Sequence, residues 1–173
     1  MRGGRKNNRE GDPQEMDHQE EAGRLFMEGY NCAQAVFVAY RDLTGLSEAE
    51  AARLSSSFGG GMGRLREVCG TVSAALLVLG ILRGYDDPKD PEAKLRHYRL
   101  VQEYACRFRE KNGSIICREL LKDVPVTEGV VPEPRTPEFY ARRPCLRLAK
   151  EASALLDELL TETEKPSEKE TLS

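Results

Sequence analysis

Five cysteines are the residues through which this chain could carry out a reaction or bind a metal. They are Cys32, Cys69, Cys106, Cys117 and Cys145. Cysteine thiolates can exchange with disulfides, hold structural zinc or ligate an iron–sulfur cluster. The spacing of these five matches no zinc-ribbon or ferredoxin pattern, and the chain has no CxxC motif. Any shared site must therefore be assembled from separate elements of the fold.

Cys32 and Cys69 are both predicted to lie at the start of a helix. Cys32 directly follows Asn31, a residue type that accepts hydrogen bonds from the free N–H groups of a first helical turn. Cys69 stands where the glycine stretch "FGGGMG" (58–63) gives way to a long apolar run. So many glycines in a short stretch indicate backbone shapes that other residues avoid.

Two further thiols follow the same pattern. Cys117 comes three residues after Ser114, the predicted cap of a short helix, and Cys145 follows Pro144, a residue type that favours a first helical turn. Free N–H groups and the positive dipole end of a helix lower the pKa of a thiol placed there. We expect these four thiols to share a site, although small buried hydrophobic cysteines would fit the pattern too. Positive charge nearby in the sequence comes from Arg64, Arg66, Arg142 and Arg143.

Cys106 does not follow this pattern. It lies on a predicted helix and points away from the apolar stripe of that helix, so we expect it to have no role in the site. The stripe consists of Tyr98, Val101, Tyr104, Ala105 and Phe108.

The chain between its two charged ends is predicted to be helical throughout. Apolar residues recur at helical spacing, and no alternating run indicates a strand. We expect an all-α, single-domain bundle of about six to seven helices. Its central helix should run from about Cys69 to Leu82, with Leu76, Leu77, Leu79 and Ile81 largely buried.

Capping residues set the remaining helix boundaries. The residues after 123 form a proline-rich loop as far as 137, and a last helix follows from Phe139 onward. Five other helices are predicted. The first covers about Asp17 to Glu28, the second begins at Asn31, and the third begins at Ser47, with Glu50 completing a capping box. The fourth runs from Asp90–Pro91 to Gly113, and the fifth begins at Ser114.

Charge and composition narrow the classes of function. Residues 1–17 and 161–173 are charged and aperiodic, so we expect disordered tails on both sides of a domain over 18–160. A formal net charge of -3 gives no support for nucleic-acid binding. No apolar run is long enough for membrane insertion, and no secretory signal is present. We expect a cytoplasmic protein, in whose reducing compartment the cysteines are not a static disulfide framework.

Four blocks of sequence, each around one cysteine, resemble the redox-active C-GCAxxG-C-C family, which is related to a domain of split-Soret cytochrome c. The blocks are "GYNCAQAV" (29–36), "FGGGMGRLREVCGTVSAA" (58–75), "SIICRELL" (114–121) and "RRPC" (142–145). The resemblance covers roughly residues 20–160. It implies that the family's four characteristic cysteines are Cys32, Cys69, Cys117 and Cys145, without Cys106.

The second block departs from the family motif at two positions. Thr71 stands where the family has alanine, and Ala74 where it has the final glycine. Both residues are small, so close helix packing is retained, but Ala74 narrows any space that the glycine would open. No CxxCH motif occurs, so the haem function of the cytochrome is not implied. We expect the glycines of this block to lie beside the site and leave Cys69 unobstructed; they are Gly59, Gly60, Gly61 and Gly70.

The resemblance implies a redox function and leaves three uses of the four cysteines open. The first is electron transfer through an iron–sulfur cluster, of the 2Fe–2S type, with an unknown electron donor or acceptor. The second is a thiol–disulfide protein in which a pair such as Cys32 and Cys69 cycles, although no thioredoxin-like pattern is present. The third is a helical protein in which the four cysteines hold structural zinc, or one with no site. Enzyme activity and a homodimer are left open.

Overall fold

Helices make up the regular structure of the computed structural model, which describes residues 16–164. Among these residues the only β-type pairing is an antiparallel bridge between Val68 and Ile116. The predicted all-α fold is thus confirmed, as one domain. The helices are α1 (His18–Met27), α2 (Cys32–Ala39), α3 (Arg41–Thr44), α4 (Glu48–Ser55), α5 (Gly70–Arg83), α6 (Pro91–Asn112), α7 (Cys117–Leu120), α8 (Pro137–Arg142) and α9 (Cys145–Glu164).

Side-chain caps fix where several helices begin. The Asn31 side-chain oxygen accepts from the N–H of Gln34, and the Gln34 side chain accepts from the N–H of Asn31. Ser47 and Glu50 form the same reciprocal capping box before α4. Asp90 caps α6 by accepting from the third helical N–H. These caps agree with the predicted helix starts because they depend only on residues close in sequence.

The core is built around α2 and one side of α5. Helix α2 packs against α1, α4, α5 and α9, and its residues 35–39 and the following Tyr40 are all buried. In α5 the prediction of a largely buried apolar set is wrong at Ile81, which is 47% exposed, and Leu76 and Leu77 are only partly buried. A helix that is apolar on nearly every side carries no polar stripe to mark its outer face, so its sequence overstates its burial.

Two predicted boundaries are corrected by the structure. Ser114 does not cap a helix: its hydroxyl accepts from the N–H of Ile116, and α7 begins only at Cys117. The last predicted helix is two helices, because the chain is extended at Arg143 and restarts after Pro144.

The expected tails lie mostly outside the described residues. Asp17, placed in the N-terminal tail by its sequence, is the N-cap of α1. Helix α9 continues to Glu164, beyond the expected domain end at 160. Residues 1–15 and 165–173 are not described, and the expected disorder there stays a prediction. In the described part of the chain no helix is both long and apolar enough to cross a bilayer.

A buried polar cluster joins α1 to α9 at the end of α2. The His18 ring stacks on Tyr40 with ring centroids 4.1 Å apart. Its Nδ1 lies 2.8 Å from a carboxylate oxygen of Asp157, and its Nε2 lies 3.1 Å from Asp42. Burial disfavours the charged ring, but the hydrogen bonds and charges of Asp157 and Asp42 outweigh burial and raise the pKa of His18.

Candidate functional site

A cavity of about 290 Å³ is lined by four of the five cysteines, which we call the cavity cysteines: Cys32, Cys69, Cys117 and Cys145. All four are free thiols. Cys106 does not line this cavity and is exposed on α6. The structure therefore places around one cavity the residues that the helix-start pattern singles out, although long stretches of sequence separate them.

Helix starts point toward this cavity from several directions. Cys32, Cys117 and Cys145 are each the first residue of a helix, and Cys69 is the residue that immediately precedes α5. The N–H groups of a first turn lack intrahelical partners, and they face an anion favourably. Helices α2, α5 and α9 are long enough for this field to be appreciable, whereas α7 is a single turn.

A turn over Gly59–Met62, which we call the glycine turn, brings the segment before Cys69 against the segment that carries Cys117. Gly60 and Gly61 have left-handed backbone angles, with φ of 66° and 69°. A β-carbon at Gly61 would lie 2.7 Å from the β-carbon of Cys117. The two segments are then joined through the backbone, because the N–H of Cys117 donates to Glu67 at 2.6 Å. Glycine at this position is required by both the turn and the close approach.

Gly70 performs the same role for the pair Cys32 and Cys69. A β-carbon at Gly70 would lie 2.6 Å from the Cys32 sulfur and 2.7 Å from the carbonyl oxygen of Phe58. The sulfur at the start of α2 can therefore lie against the start of α5 only because Gly70 has no side chain. Of the glycines expected beside the site, Gly59 lines the cavity, as Gly60 does, whereas Gly61 and Gly70 adjoin cavity cysteines.

The two departures from the expected motif are both buried. The hydroxyl of Thr71 lies 3.2 Å from the sulfur of Cys69, so this residue touches a cavity cysteine directly. Ala74 is fully buried in the core on the same helix. Thr71 thus replaces an apolar position by one that can hydrogen-bond the site.

Burial dominates the electrostatics of Cys69. It raises the pKa of the Cys69 thiol well above its usual range, and the nearby thiol of Cys32 raises it further. The hydrogen bond to Thr71 opposes this shift only in part. Cys69 is therefore a neutral thiol near pH 7 unless a cation or a covalent partner takes the place of its proton.

Arginines oppose the rise in thiol pKa at two other cavity cysteines, Cys117 and Cys145. Burial and then the charge of Cys32 raise the pKa of Cys145 to about 12, while Arg143 opposes the rise. Burial and Cys32 also raise the pKa of Cys117, and the neighbouring guanidinium of Arg66 opposes that rise. Each of these two thiols therefore has its own arginine beside it.

The arginines expected near the site divide into two groups. Arg64, Arg66 and Arg143 line the cavity, whereas Arg142 does not. Arg142 and Arg143 both donate to the carboxylate of Glu133. That carboxylate and the Arg143 side chain are each only 5% exposed.

The proline-rich loop contributes residues that the sequence did not single out. Glu133 and Arg135 of this loop line the cavity, together with Phe139 of α8. The guanidinium of Arg135 lies over the ring of Phe139 at 4.7 Å and over Phe26 at the same distance. The sequence feature that could have indicated Glu133 and Arg135 is their position between prolines in "PEPRTP" (132–137), because prolines restrict the path of the backbone around them.

The cavity cysteines border a space without meeting at one point. Within residues 16–164 no three His, Cys, Asp or Glu side chains are arranged to hold a single metal ion. The structural-zinc alternative that the sequence leaves open therefore has no supporting arrangement of ligands among these residues.

The comparison with family models identifies a family for this chain. The family described as "Putative redox-active protein (C_GCAxxG_C_C)" matches residues 30–159, a range that contains all four cavity cysteines. The chain belongs to this family. The resemblance seen in the sequence is confirmed, and with it a redox-active character. The searches of curated proteins and of solved structures gave no match.

Proposed function

We propose that this member of the C_GCAxxG_C_C family transfers electrons through an iron–sulfur cluster held by the four cavity cysteines. The observation that supports the proposal is their placement around a common cavity with the fifth cysteine elsewhere. Among the described residues that line the cavity there is no histidine, and the carboxylate of Glu133 is already paired with arginines. A donor set of thiols alone is the usual ligand set of iron–sulfur clusters.

Structural zinc held by the same four cysteines lacks a supporting observation. Among residues 16–164 no three His, Cys, Asp or Glu side chains are arranged to hold a single metal ion. A cluster would place its own iron and sulfide atoms between its thiolate ligands, which therefore need not converge on one ion.

The chemistry of the buried thiols agrees with cation binding. When bound, an iron–sulfur cluster accepts and releases single electrons. The chain's own residues would hold it: burial keeps water from the sulfur of Cys69, and Gly70 leaves room beside Cys32. Arg66 and Arg143 would offset the negative charge of the thiolates at Cys117 and Cys145.

The test is anaerobic purification followed by a visible spectrum and by iron and acid-labile sulfide assays. We expect a coloured protein with iron and sulfide in comparable amounts. Serine at any one cavity cysteine should remove most of both, because a ligand is lost. Cys106→Ser is the matched control and should retain the metal content of the wild type. A colourless protein, or one that loses iron only through Cys106→Ser, would contradict the proposal.

A second function is favoured by one specific contact, the approach of Cys32 to Gly70, the residue after Cys69. In thiol–disulfide exchange these two thiols would form a disulfide and pass two electrons and two protons to a disulfide substrate, which becomes two thiols. A protein that purifies without iron and shows a reversible Cys32–Cys69 disulfide by mass spectrometry would favour this function over the cluster.

A further inference from the structure

Two arginines place buried N–H groups at the cavity that have no hydrogen-bond partner among the described residues. They are Nη2 of Arg66 and Nε of Arg143. Both residues line the cavity, and the Arg143 side chain is only 5% exposed. A buried charged donor without an acceptor is unfavourable, so proteins seldom keep one unless a bound group completes it.

The charges around the cavity do not balance. Within residues 16–164, four arginines line it and one carboxylate does, that of Glu133. The Arg64 side chain already has acceptors in the proline-rich loop, where it donates to the carbonyl oxygens of Thr127 and Gly129, both at 2.8 Å. Arg66 and Arg143 are therefore the lining arginines with unpartnered buried N–H groups. The part of the cavity beside these two arginines carries a net positive charge.

The backbone at Arg66 is held in an unfavourable conformation. Its φ is 61°, a left-handed value that a residue with a side chain rarely adopts. The conformation is fixed from both sides, because its N–H donates to Gly60 at 3.2 Å and its carbonyl accepts from Arg118 at 3.1 Å. Such strain persists where the surrounding fold imposes it, and it is typical of residues that clamp a ligand.

Most of the remaining cavity wall is apolar. An ion of simple shape would not use this surface, whereas an organic molecule with an acidic head group would. Such a molecule would place its body against the hydrocarbon wall and its charge toward the arginines. The apolar lining includes Phe26, Leu120, Leu121, Val130, Phe139 and Leu148.

We propose that this cavity binds a small organic anion, whose carboxylate or phosphate accepts hydrogen bonds from Arg66 and Arg143. Binding of the anion requires no cluster, although the cavity cysteines line the same cavity and their charge affects the anion's affinity. Its further role as the electron donor or acceptor of the site rests on the proposed redox function.

Calorimetric titration of the full chain with three probes tests the proposal. Benzoate and phenyl phosphate carry the two acidic groups on the same ring, and benzamide is the neutral counterpart of benzoate. We expect at least one anion to bind, with an affinity at least about tenfold higher than that of benzamide, because the neutral amide does not form a charge-assisted pair with arginine. Whichever anion binds more tightly identifies the head group.

Variants of the two arginines locate the binding. Arg66→Gln and Arg143→Gln should each weaken the anion at least about tenfold. Arg142→Gln is the matched control: it is adjacent in sequence and also pairs with Glu133, but it lies outside the cavity lining, and its affinity should not change. If Arg143→Gln fails to fold because its pair with Glu133 is lost, Arg66→Gln decides, since no hydrogen bond of its side chain within the described residues joins it to a carboxylate.

Three results would overturn the proposal: benzamide binding as well as the anions, unchanged affinity in folded Arg66→Gln, or no binding of either anion to the folded wild type. Iron and sulfide assays on the same samples keep the two proposals apart. Anion binding by iron-free protein supports the anion site while contradicting the cluster, and an iron-loaded protein that binds neither anion does the opposite.

Discussion

Gly70 shows at the scale of one residue how closely the site is fitted. The sulfur of Cys32 and the carbonyl oxygen of Phe58 occupy the space that any side chain at position 70 would need. A carbonyl of the main chain cannot turn aside as a flexible side chain can, so the obstruction cannot be relieved cheaply.

Gly70→Ala should therefore lower the free energy of unfolding by roughly 1–3 kcal/mol, because a methyl group is forced into an occupied space. It should also reduce iron content, because Cys32 must move. Urea denaturation measures the first effect and iron assay the second. Gly80→Ala lies on the same helix, where an added β-carbon meets nothing within 4 Å. This control should stabilise the protein by roughly 0.5–1 kcal/mol, and equal destabilisation of both variants would refute the steric explanation.

At the scale of elements, the loop over residues 124–136 is held to the glycine turn by one side chain. Arg64 donates to carbonyl oxygens of Thr127 and Gly129 and also to the Thr127 hydroxyl at 2.9 Å. Since this loop supplies Glu133 to the cavity wall, its attachment by Arg64 helps to shape the site.

Arg64→Ala should make this loop open more often, because three hydrogen bonds to it are lost. Limited proteolysis with a Glu-specific protease measures the effect as faster cleavage after Glu128, by about fivefold if the opening free energy falls by about 1 kcal/mol. Arg118→Ala removes an exposed ion pair with Glu67 and no bond to the loop, so its cleavage rate should match the wild type. Equal rates in all three proteins would show that Arg64 does not restrain the loop.

Helix boundaries that depend on neighbouring residues could be predicted from the sequence. Boundaries that depend on pairing with a distant segment could not. The capping boxes at Asn31 and Ser47 involve residues three apart, so the sequence contains all that they need. Ser114 looks like a cap, yet Ile116 is held extended by the bridge to Val68, and the helix starts later. The role of Glu133 could not be predicted because an irregular loop has no periodicity that indicates which side chains turn inward.

At the scale of the whole molecule, the His18 cluster fastens the first helix to the last one. Its ring is placed between the carboxylates of Asp42 on α3 and Asp157 on α9. The contact between α1 and α9, the first and last helices of the described chain, therefore depends in part on the protonation of one side chain, that of His18.

Stability should depend on pH through this histidine. The folded-state pKa of His18 is raised above 6.5, the value of an ordinary histidine, so the folded protein binds this proton more tightly than the unfolded chain. Its contribution is complete below about pH 6.5 and is lost as pH rises through the raised value. Urea midpoints measured across this range should fall with rising pH.

His18→Gln should flatten that pH dependence and cost roughly 1–3 kcal/mol, because the hydrogen bonds of the buried ring to the partly exposed carboxylates of Asp42 and Asp157 are lost. His97→Gln is the control, since no carboxylate pairs with that ring among the described residues. It should retain the fall of stability with pH. A wild-type profile that stays flat, or a slope retained in His18→Gln, would contradict this assignment.

The wide separation of the cavity cysteines along the chain sets an order of events during synthesis. Cys32 emerges from the ribosome early and Cys145 only after most of the domain, so a nascent chain has an incomplete set of thiols for most of its translation. A group held by all four thiols could be completed only after Cys145, the first residue of α9, has been made. Such a group would act as a cross-link between α2 and α9 and would oppose their separation on unfolding.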